Sequence, residues 1–370
     1  MRIKTSKESL LKGIQVVQNA VSTKSTLPIL SHILVEAKKG SIKLTTTDLE
    51  IGVSVKIDGE VLEEGSITVP ARKFSEIVKE LPSQFPIEVF LKKGQSVSIE
   101  AGKSYFRLMG LLREDFPQLP DFPLTNTKGL DLIKIPQATL KSMVQLTSFA
   151  MSHDEARYVL NGILFSFHEK FLKLVATDGR RLALAEEEIQ GMGNFKKDVI
   201  VPMKTIQELN RNLLEEGDAL FYFKENQLQI NLGAITIVSR LIEGEYPNYE
   251  QVIPKKLKEE VMINTQNFLQ AARRASILTN QESQSVKVNI IKDRMIITKN
   301  TPDLGEAREE IEIDYKGGEL VIGFNPNFLI DVLKNVGDES VKFGFIDPEK
   351  PATIKSGDNY TYIVLPMQVN

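Results

Sequence analysis

The segment "LVATDGRRLAL" at residues 174–184 repeats the pattern of "LTTTDLEIGV" at residues 44–53. Aligning the two segments places Asp178 opposite Asp48, 130 residues earlier in the chain. In both segments, apolar residues alternate with other residues on either side of a Thr-Asp pair, which is typical of two strands joined by a tight turn. The match therefore indicates an internal repeat with a long period.

Other segments match in the same order and at nearly the same distance. "EDFPQLPDFP" (114–123) aligns with "GEYPNYEQVIP" (244–254), and "SITVPARKFSEIVKELP" (66–82) aligns with "DVIVPMKTIQELNRNLL" (198–214). A third copy of the latter segment is "LVIGFNPNFLIDVLKNV" (320–336), near the end of the chain. The order and spacing predict three copies of one structural unit.

Each copy has the same succession of patterns. An amphipathic helix comes first, then alternating strand segments, a second short helix and further strands. The first helices carry apolar residues at helical spacing, namely Leu10, Ile14, Val17 and Val21, then Leu140, Met143, Val144, Thr147 and Met151, then Phe268, Ala272, Ala275 and Leu278. We therefore predict an α+β fold of three repeated domains over residues 1–125, 126–254 and 255–370, each with two helices and largely antiparallel sheets.

The composition excludes several classes of protein. The 370 residues are 42% hydrophobic and 26% charged, as in a globular protein with a large core. No apolar run is long enough to span a bilayer, and the first residues do not resemble a signal peptide. With no cysteine and only three histidines (His32, His153 and His168), we expect no disulfide, no His-rich metal site and a cytoplasmic location.

Charge is distributed unevenly along the chain. The net charge is −3, but the polar faces of the six predicted helices lean towards basic residues. These residues are Lys7, Lys12, Arg72, Lys73, Lys79, Lys141, Lys204, Arg211, Arg273, Arg274 and Lys334. Such faces suit weak, sequence-independent contact with a phosphate backbone.

Two other classes of function are compatible with parts of the sequence. His153 with Asp154, or Asp178 with its arginines, resembles an acid-base pair beside an anion clamp. However, Asp178 recurs as Asp48 without arginines, which favours a structural turn over an active site. A monomeric repeat scaffold that binds proteins and no DNA is the second alternative, and the oligomeric state distinguishes it.

Five motifs carry a resemblance to a known family. They are "TLPILSHIL" (26–34), "VPARKF" (69–74), "RYVLNGILF" (157–165), "VATDGRRLA" (175–183) and "YTYIVLPM" (360–367). Together with the triple repeat, they resemble the bacterial DNA sliding clamp, the beta subunit of DNA polymerase III. The resemblance implies a head-to-tail homodimer in which each chain forms half of a closed ring around duplex DNA, with helices lining the hole. It implies no catalysis and no cofactor.

The resemblance also implies partners. The family tethers the replicative polymerase and other polymerases or repair proteins through a peptide-binding cleft between the second and third domains, and a separate ATP-driven clamp loader opens the ring. This chain has no phosphate-binding G-x-x-x-x-G-K-[ST] loop of its own. The matching cleft positions are Leu160, Thr177, Gly179, Arg180, Arg181, Leu182, Pro247, Gln251, Ile363, Val364, Leu365, Pro366 and Met367. Arg180 and Gln251 replace the His and Arg familiar at these positions, and the chain ends in "QVN".

Two further sets of residues follow from the resemblance. Those expected to face DNA are Lys24, Arg72, Arg157, Tyr158 and Lys204. Those expected at the dimer interface are Lys73, Lys103, Phe106, Leu108, Ile277, Leu278 and Glu306. Asp154, Ser283 and Gln284 depart from the family pattern near the DNA. The alternative for Phe106 and Leu108 is burial within their own sheet.

Overall fold

A computed structural model describes residues 1–22, 27–38, 40–123, 132–193, 195–302 and 304–368. Lys24, one of the residues expected to face DNA, lies outside these ranges. The described residues contain six α-helices and 25 β-strands, joined in places by short 3-10 turns. No helix among them is both long and apolar enough to cross a membrane.

The first repeat contains helices α1 (Lys7–Val17) and α2 (Ala71–Glu80). Its strands are β1 (Arg2–Thr5), β2 (His32–Lys38), β3 (Ser41–Thr47), β4 (Ile51–Ile57), β5 (Glu60–Glu63), β6 (Gly65–Pro70), β7 (Ile87–Leu91), β8 (Ser96–Ala101) and β9 (Ser104–Met109).

The second repeat contains helices α3 (Gln137–Ser148) and α4 (Met203–Asn212). Its strands are β10 (Leu132–Pro136), β11 (Gly162–His168), β12 (Phe171–Thr177), β13 (Arg181–Glu188), β14 (Lys196–Pro202), β15 (Asp218–Lys224), β16 (Gln227–Leu232) and β17 (Ile235–Arg240).

The third repeat contains helices α5 (Thr265–Ser276) and α6 (Pro326–Asn335). Its strands are β18 (Glu259–Asn264), β19 (Val286–Ile291), β20 (Arg294–Thr301), β21 (Gly305–Glu312), β22 (Leu320–Phe324), β23 (Ser340–Phe345), β24 (Ala352–Ser356) and β25 (Tyr360–Val364). The predicted order of elements, helix, strands, helix and strands, is present in each repeat.

Local sequence explains where the helices begin and which face they bury. Ser6 caps α1 by accepting a hydrogen bond from the Ser9 N–H, at 3.1 Å, and Asn264 caps α5 in the same way. The predicted apolar stripe of α1 is buried at Leu10, Ile14 and Val17, as expected for a helix packed on a sheet. Val21, predicted to extend that stripe, lies beyond the end of the helix.

The strands form four antiparallel sheets. Two have strand orders β5-β1-β7-β8-β9 and β21-β20-β19-β22, and the two larger ones have orders β10-β15-β16-β17-β4-β3-β2-β6 and β14-β11-β12-β13-β25-β24-β23-β18. Each larger sheet combines four strands of one repeat with four of the next, and the repeats meet where β4 pairs with β17 and β13 pairs with β25.

These shared sheets divide the chain into two compact units. One comprises residues 1–140 and 207–241, and the other comprises residues 141–206 and 242–370. The strands of the second repeat are therefore divided between the units, because each of its sheets is continuous with a sheet of a neighbouring repeat. The three predicted domains follow the sequence repeat and therefore differ from these two compact units. The boundaries of the three domains stay a prediction.

The position of Leu182 in the second repeat corresponds to Gly52 in the first, and different side chains occupy the space there. In the second repeat, Leu182 fills it with its own buried side chain, and Tyr249 packs against the same apolar cluster. In the first repeat the matching residues are Gly52 and Leu119, and a Cβ atom at Gly52 would lie 2.4 Å from Leu119 Cδ1. Leu119 therefore occupies the space that the missing side chain leaves.

This exchange generates a prediction about stability. Leu119→Ala should destabilise the protein by about 1–3 kcal/mol through lost burial, and Gly52→Ala should destabilise it because the new methyl group displaces Leu119. The double variant should lose less than the sum of the two, because truncated Leu119 no longer obstructs the methyl group. Thermal and urea unfolding measure these differences.

Gly337→Ala is the control, since a Cβ atom there meets nothing within 4 Å. Strictly additive losses in the double variant would contradict the exchange between Gly52 and Leu119.

Candidate functional site

The Thr-Asp segment forms a turn in both repeats. Asp178 Oδ1 accepts the backbone N–H groups of Arg180 and Arg181 at 2.9 and 3.1 Å. Asp48 Oδ1 accepts those of the two equivalent residues, at 3.0 and 2.9 Å. The prediction that the shared Asp serves turn formation is confirmed, because both carboxylates satisfy the backbone of their own loop.

Arg181 is bound on several sides within the molecule. Its Nε donates to Asp178 Oδ2 at 3.1 Å, one terminal nitrogen donates to Asp331 Oδ2 at 2.6 Å, and the other donates to the Phe149 carbonyl at 2.6 Å. The guanidinium also lies over the ring of Phe328, 4.6 Å from its centroid. A planar fork with five donors suits such a junction.

These contacts indicate different roles for Arg180 and Arg181, the two arginines of the turn. Arg181 connects the turn to α6, which carries Asp331 and Phe328, and to the backbone just after α3. Its side chain is largely buried, whereas that of Arg180 is exposed. We therefore propose that Arg181 shapes the site from beneath and that Arg180 is the arginine available to a ligand.

Beside this turn lies an apolar cluster whose floor is buried. It consists of Leu164, Val175, Leu182, Ile200 and Ile363. Leu182 and Ile363 are opposite one another across the β13–β25 pairing and are only 4% and 2% exposed. Leu160 and Val364, expected in the cleft, are buried as well, so these four side chains support a surface from below.

The rim of the cluster contains residues that sequence reasoning did not identify. Six partly buried residues pack against the floor: Val159, Leu184, Ile242, Tyr246, Tyr249 and Ile253. The Tyr246 hydroxyl donates to the Val175 carbonyl at 3.2 Å, and burial raises the pKa of this phenol, which keeps it neutral. The tyrosines in "GEYPNYEQ" were the available signal. Pro247 and Gln251, expected in the cleft, are exposed beside them.

The C-terminal tail continues from β25, whose Ile363 lies in the floor of the cluster. The Leu365 N–H donates to the Arg180 carbonyl at 2.9 Å, and the Met367 N–H donates to the Gly323 carbonyl at 2.8 Å. Leu365 is 38% exposed, and Pro366 and Met367 are partly exposed. The tail, the turn and the two tyrosines thus contribute partly exposed apolar side chains beside an exposed arginine, which suits a short peptide ligand.

Two arginines expected to face DNA already contact acidic residues. Arg72 Nε lies 3.0 Å from Glu76 Oε1, and Arg157 Nε lies 3.0 Å from Asp154 Oδ2. A second nitrogen of Arg157 donates to the Asp178 carbonyl. The pKa of Asp154 is lowered by a hydrogen bond from the Ala156 N–H and by Arg157, so this acid stays charged at neutral pH.

The remaining DNA-facing candidates, Tyr158 and Lys204, are exposed. Their contact with DNA stays a prediction.

The residues expected at the dimer interface lie at or near two sheet edges. Phe106 and Leu108 are on β9, which ends one sheet, and Glu306 is on β21, which ends another. Phe106 is 39% exposed, so its own sheet does not bury it. Ile277, directly after α5, is 75% exposed. Three further candidates have simple surroundings: Lys73 pairs with Glu76, Lys103 is exposed, and Leu278 is partly exposed.

The Arg181 junction gives a prediction. Arg181→Met should destabilise the protein by about 1–3 kcal/mol, because it removes the hydrogen-bond donor of the Phe149 carbonyl and the partner of Asp331, whose side chain is 35% exposed. Arg180→Met, one residue earlier and exposed, should change stability by less than about 0.5 kcal/mol. Urea unfolding followed by circular dichroism compares the two, and equal losses would refute the division of roles.

Comparison with known proteins covers the whole chain. Models of the N-terminal, central and C-terminal domains of the DNA polymerase III beta subunit match residues 1–120, 134–248 and 250–368. The beta sliding clamp of Chlamydia muridarum is 32% identical over 370 residues, with 100% of both chains covered. That of Pseudomonas aeruginosa is 35% identical over 373 residues, again with 100% of both covered.

Solved structures agree. The Bacillus subtilis sliding clamp superposes with a TM-score of 0.93 at 30% identity. The Pseudomonas aeruginosa clamp bound to griselimycin superposes with a TM-score of 0.93 at 34% identity. Both comparisons cover 100% of each chain. In sequence and fold alike, the chain belongs to the DNA polymerase III beta subunit family, the beta sliding clamps, which are non-catalytic processivity factors of DNA replication.

Proposed function

We propose that two copies of this chain close head to tail into a ring around duplex DNA, through β9 of one copy and β21 of the other. The observation that carries this proposal is the way the repeats join within the chain. The edge β4 of the first repeat pairs with β17 of the second, and β13 of the second pairs with β25 of the third. The equivalent edges left over are β21 of the third repeat and β9 of the first.

The repeats also indicate a register for that pairing. Leu182 faces Ile363, and its counterpart Gly52 faces Val238. The β8–β9 and β16–β17 hairpins have turns of the same length, so Arg107 takes the position of Val238 in β9. Counting β20 from its turn with β19, and β12 from its turn with β11, Asn300 takes the position of Thr177. Glu306, the partner of Asn300, therefore takes the position of Leu182 in β21. The two leftover edges therefore bring opposite charges face to face, which supports pairing between copies.

Apolar residues beside the two edges support the same contact. In this register Phe106 faces Ala307, on the side of β21 nearest α5. Arg274 of α5 pairs with Glu309 of β21, so exposed Ile277 at the end of the helix lies close to that strand. An edge strand presents unpaired backbone N–H and C=O groups, so one that also exposes apolar side chains can pair with a strand of another chain. The interface is heterologous, and the proposed ring requires that two such contacts close it.

The proposed register predicts a charge-swap result. Arg107→Glu should weaken the dimer at least about tenfold, because it sets two carboxylates opposite one another. Combining it with Glu306→Arg should restore much of the affinity, because the pair is reversed and not lost. Sedimentation velocity across a nanomolar-to-micromolar dilution series measures both.

Lys256→Glu serves as the control, since it makes the same charge change at an exposed site outside the strands. If the double variant is as weak a dimer as the worse single variant, the register is wrong.

We propose that DNA is held by enclosure, with weak contacts along the helices. The six helices contain eleven basic and five acidic residues in a chain whose net charge is −3. Several of these cations are already shared with neighbouring acids, as Arg72 and Lys73 are with Glu76. Few phosphate contacts leave the ring free to slide, because affinity for the backbone rises steeply with their number.

We further propose that the cleft formed by the turn, the two tyrosines and the tail binds peptide segments of the polymerase, the clamp loader and other DNA-processing partners. Its partly exposed apolar residues and the exposed Arg180 suit a short peptide segment. A relative bound to griselimycin gives a practical probe of the cleft. A partner held there gains a high effective concentration at the primer end, which raises processivity without catalysis by the ring.

The enclosure proposal predicts how DNA is retained. Protein loaded by a clamp loader and ATP onto nicked circular DNA should co-elute with it in high salt, and it should be lost once a restriction enzyme linearises the circle. Gel filtration with labelled protein measures retention. Arg107→Glu, as a weakened dimer, should be lost from both forms. Equal retention on circular and linear DNA by the unsubstituted protein would refute enclosure.

A further inference from the structure

Lys299, on β20, is a buried lysine to which neither the proposed ring contact nor the proposed cleft assigns a role. It is 4% exposed. Its Nζ donates three hydrogen bonds, to the Ser283 carbonyl at 2.8 Å, to Ser283 Oγ at 2.5 Å and to the Ser285 carbonyl at 2.9 Å. All three donors of the ammonium group are therefore used on one short segment.

The partners of Lys299 are neutral oxygens. Among the described residues, no carboxylate forms an ion pair with it, in contrast to Lys355 on β24, which pairs with Glu260. Burial lowers the pKa of Lys299, as expected for an ammonium group taken out of water. Keeping a buried charge on neutral partners is costly, so a leucine or methionine would serve the core better unless the three hydrogen bonds matter.

What the three bonds fix is the segment that leads into β19. Ser283 and Ser285 flank Gln284, and Asn280 Oδ1 accepts the Ser283 N–H at 2.7 Å from the other side. Ser285 in turn donates from Oγ to the Gln368 carbonyl in the C-terminal tail, at 3.3 Å. Lys299 is thus two hydrogen bonds away from the tail.

A second contact attaches the described part of the tail to the third repeat. The Met367 N–H bonds to the Gly323 carbonyl at 2.8 Å, and that pair forms an isolated bridge at the edge of β22. Gly323 itself pairs with Lys287 of β19, the strand that follows the segment held by Lys299. The position of Met367 therefore depends on β22 on one side and on Ser285 on the other.

We infer that Lys299 is a positioning residue for the partner cleft, acting through Ser285 to hold the tail and Met367 in the place that a bound peptide needs. The inference rests on the proposed assignment of the tail to that cleft. Lys299 touches no ligand in this role. Its ammonium group orders the 283–285 segment, and that segment restrains the tail, so peptide binding has less conformational entropy to overcome.

The test is a double-mutant cycle on the full-length protein, with griselimycin as the probe and calorimetry as the readout. Lys299→Met and Met367→Ala should each weaken binding, Lys299→Met by roughly tenfold, a loss of about 1.4 kcal/mol. The double variant should bind no more weakly than Met367→Ala alone, because Lys299 acts through the residue already removed. Lys342→Met, an exposed lysine on β23, is the matched control and should bind like the unsubstituted protein.

A second variant covers the case in which Lys299→Met does not fold. Ser285→Ala removes only the hydroxyl that bonds to the tail, and it should weaken binding severalfold while leaving the unfolding temperature unchanged. Normal binding by both Lys299→Met and Ser285→Ala, with weakened Met367→Ala, would overturn the inference and leave the cleft in place. Additive losses in the double variant would overturn it too. Normal binding by Met367→Ala would instead refute the assignment of the tail to the cleft.

Discussion

The pairing of strand edges between successive repeats is the constraint on which the rest of this structure depends. Each repeat offers one edge that the next repeat completes, at β4 with β17 and at β13 with β25. This pairing makes the two large sheets continuous and sets Leu182 against Ile363 in the buried apolar cluster. It leaves β9 of the first repeat and β21 of the third without the equivalent partner. The proposed partner site and the proposed ring contact thus both follow from one pattern of strand pairing.

The sequence was sufficient for features that depend on local order. The repeat, the helix and strand succession and the Asp48 and Asp178 turns could all be predicted, because periodicity and turn chemistry involve residues close in the chain. The role of Arg181 could not, since its partner Asp331 lies 150 residues away in another repeat. Lys299 was likewise hidden, because a lysine in a strand pattern predicts solvent exposure. Contact of Arg72, Arg157, Tyr158 and Lys204 with DNA stays a prediction.

Strong and weak interactions are separated in this protein. Arg181 and Lys299 are largely buried and use their donors within the molecule, and in our proposal both hold the cleft in shape. Arg72 and Arg157 are more exposed, and each already pairs with an acidic residue. The positive potential that they present to a DNA phosphate is therefore reduced. A ring that slides along DNA while it keeps its partners bound benefits from this division. Buried charges with internal partners keep a binding site rigid, whereas weak phosphate contacts at the surface let the ring move along DNA.

The first repeat has Gly52 where the second has Leu182, and Leu119 fills the space. This difference affects how many partners one ring can bind. A repeat protein built by copying one unit has the means to copy its docking site as well. Here the first repeat lacks the leucine of the floor, and its own connecting segment lies over the place where that side chain would be, so the two positions are not interchangeable. In our proposal the cleft belongs to the second repeat and its tail neighbour and not to the first repeat, so a two-chain ring would hold two docked partners at a time. A third enzyme at the same primer end must then wait for an exchange, and the order of events on DNA becomes a matter of competition.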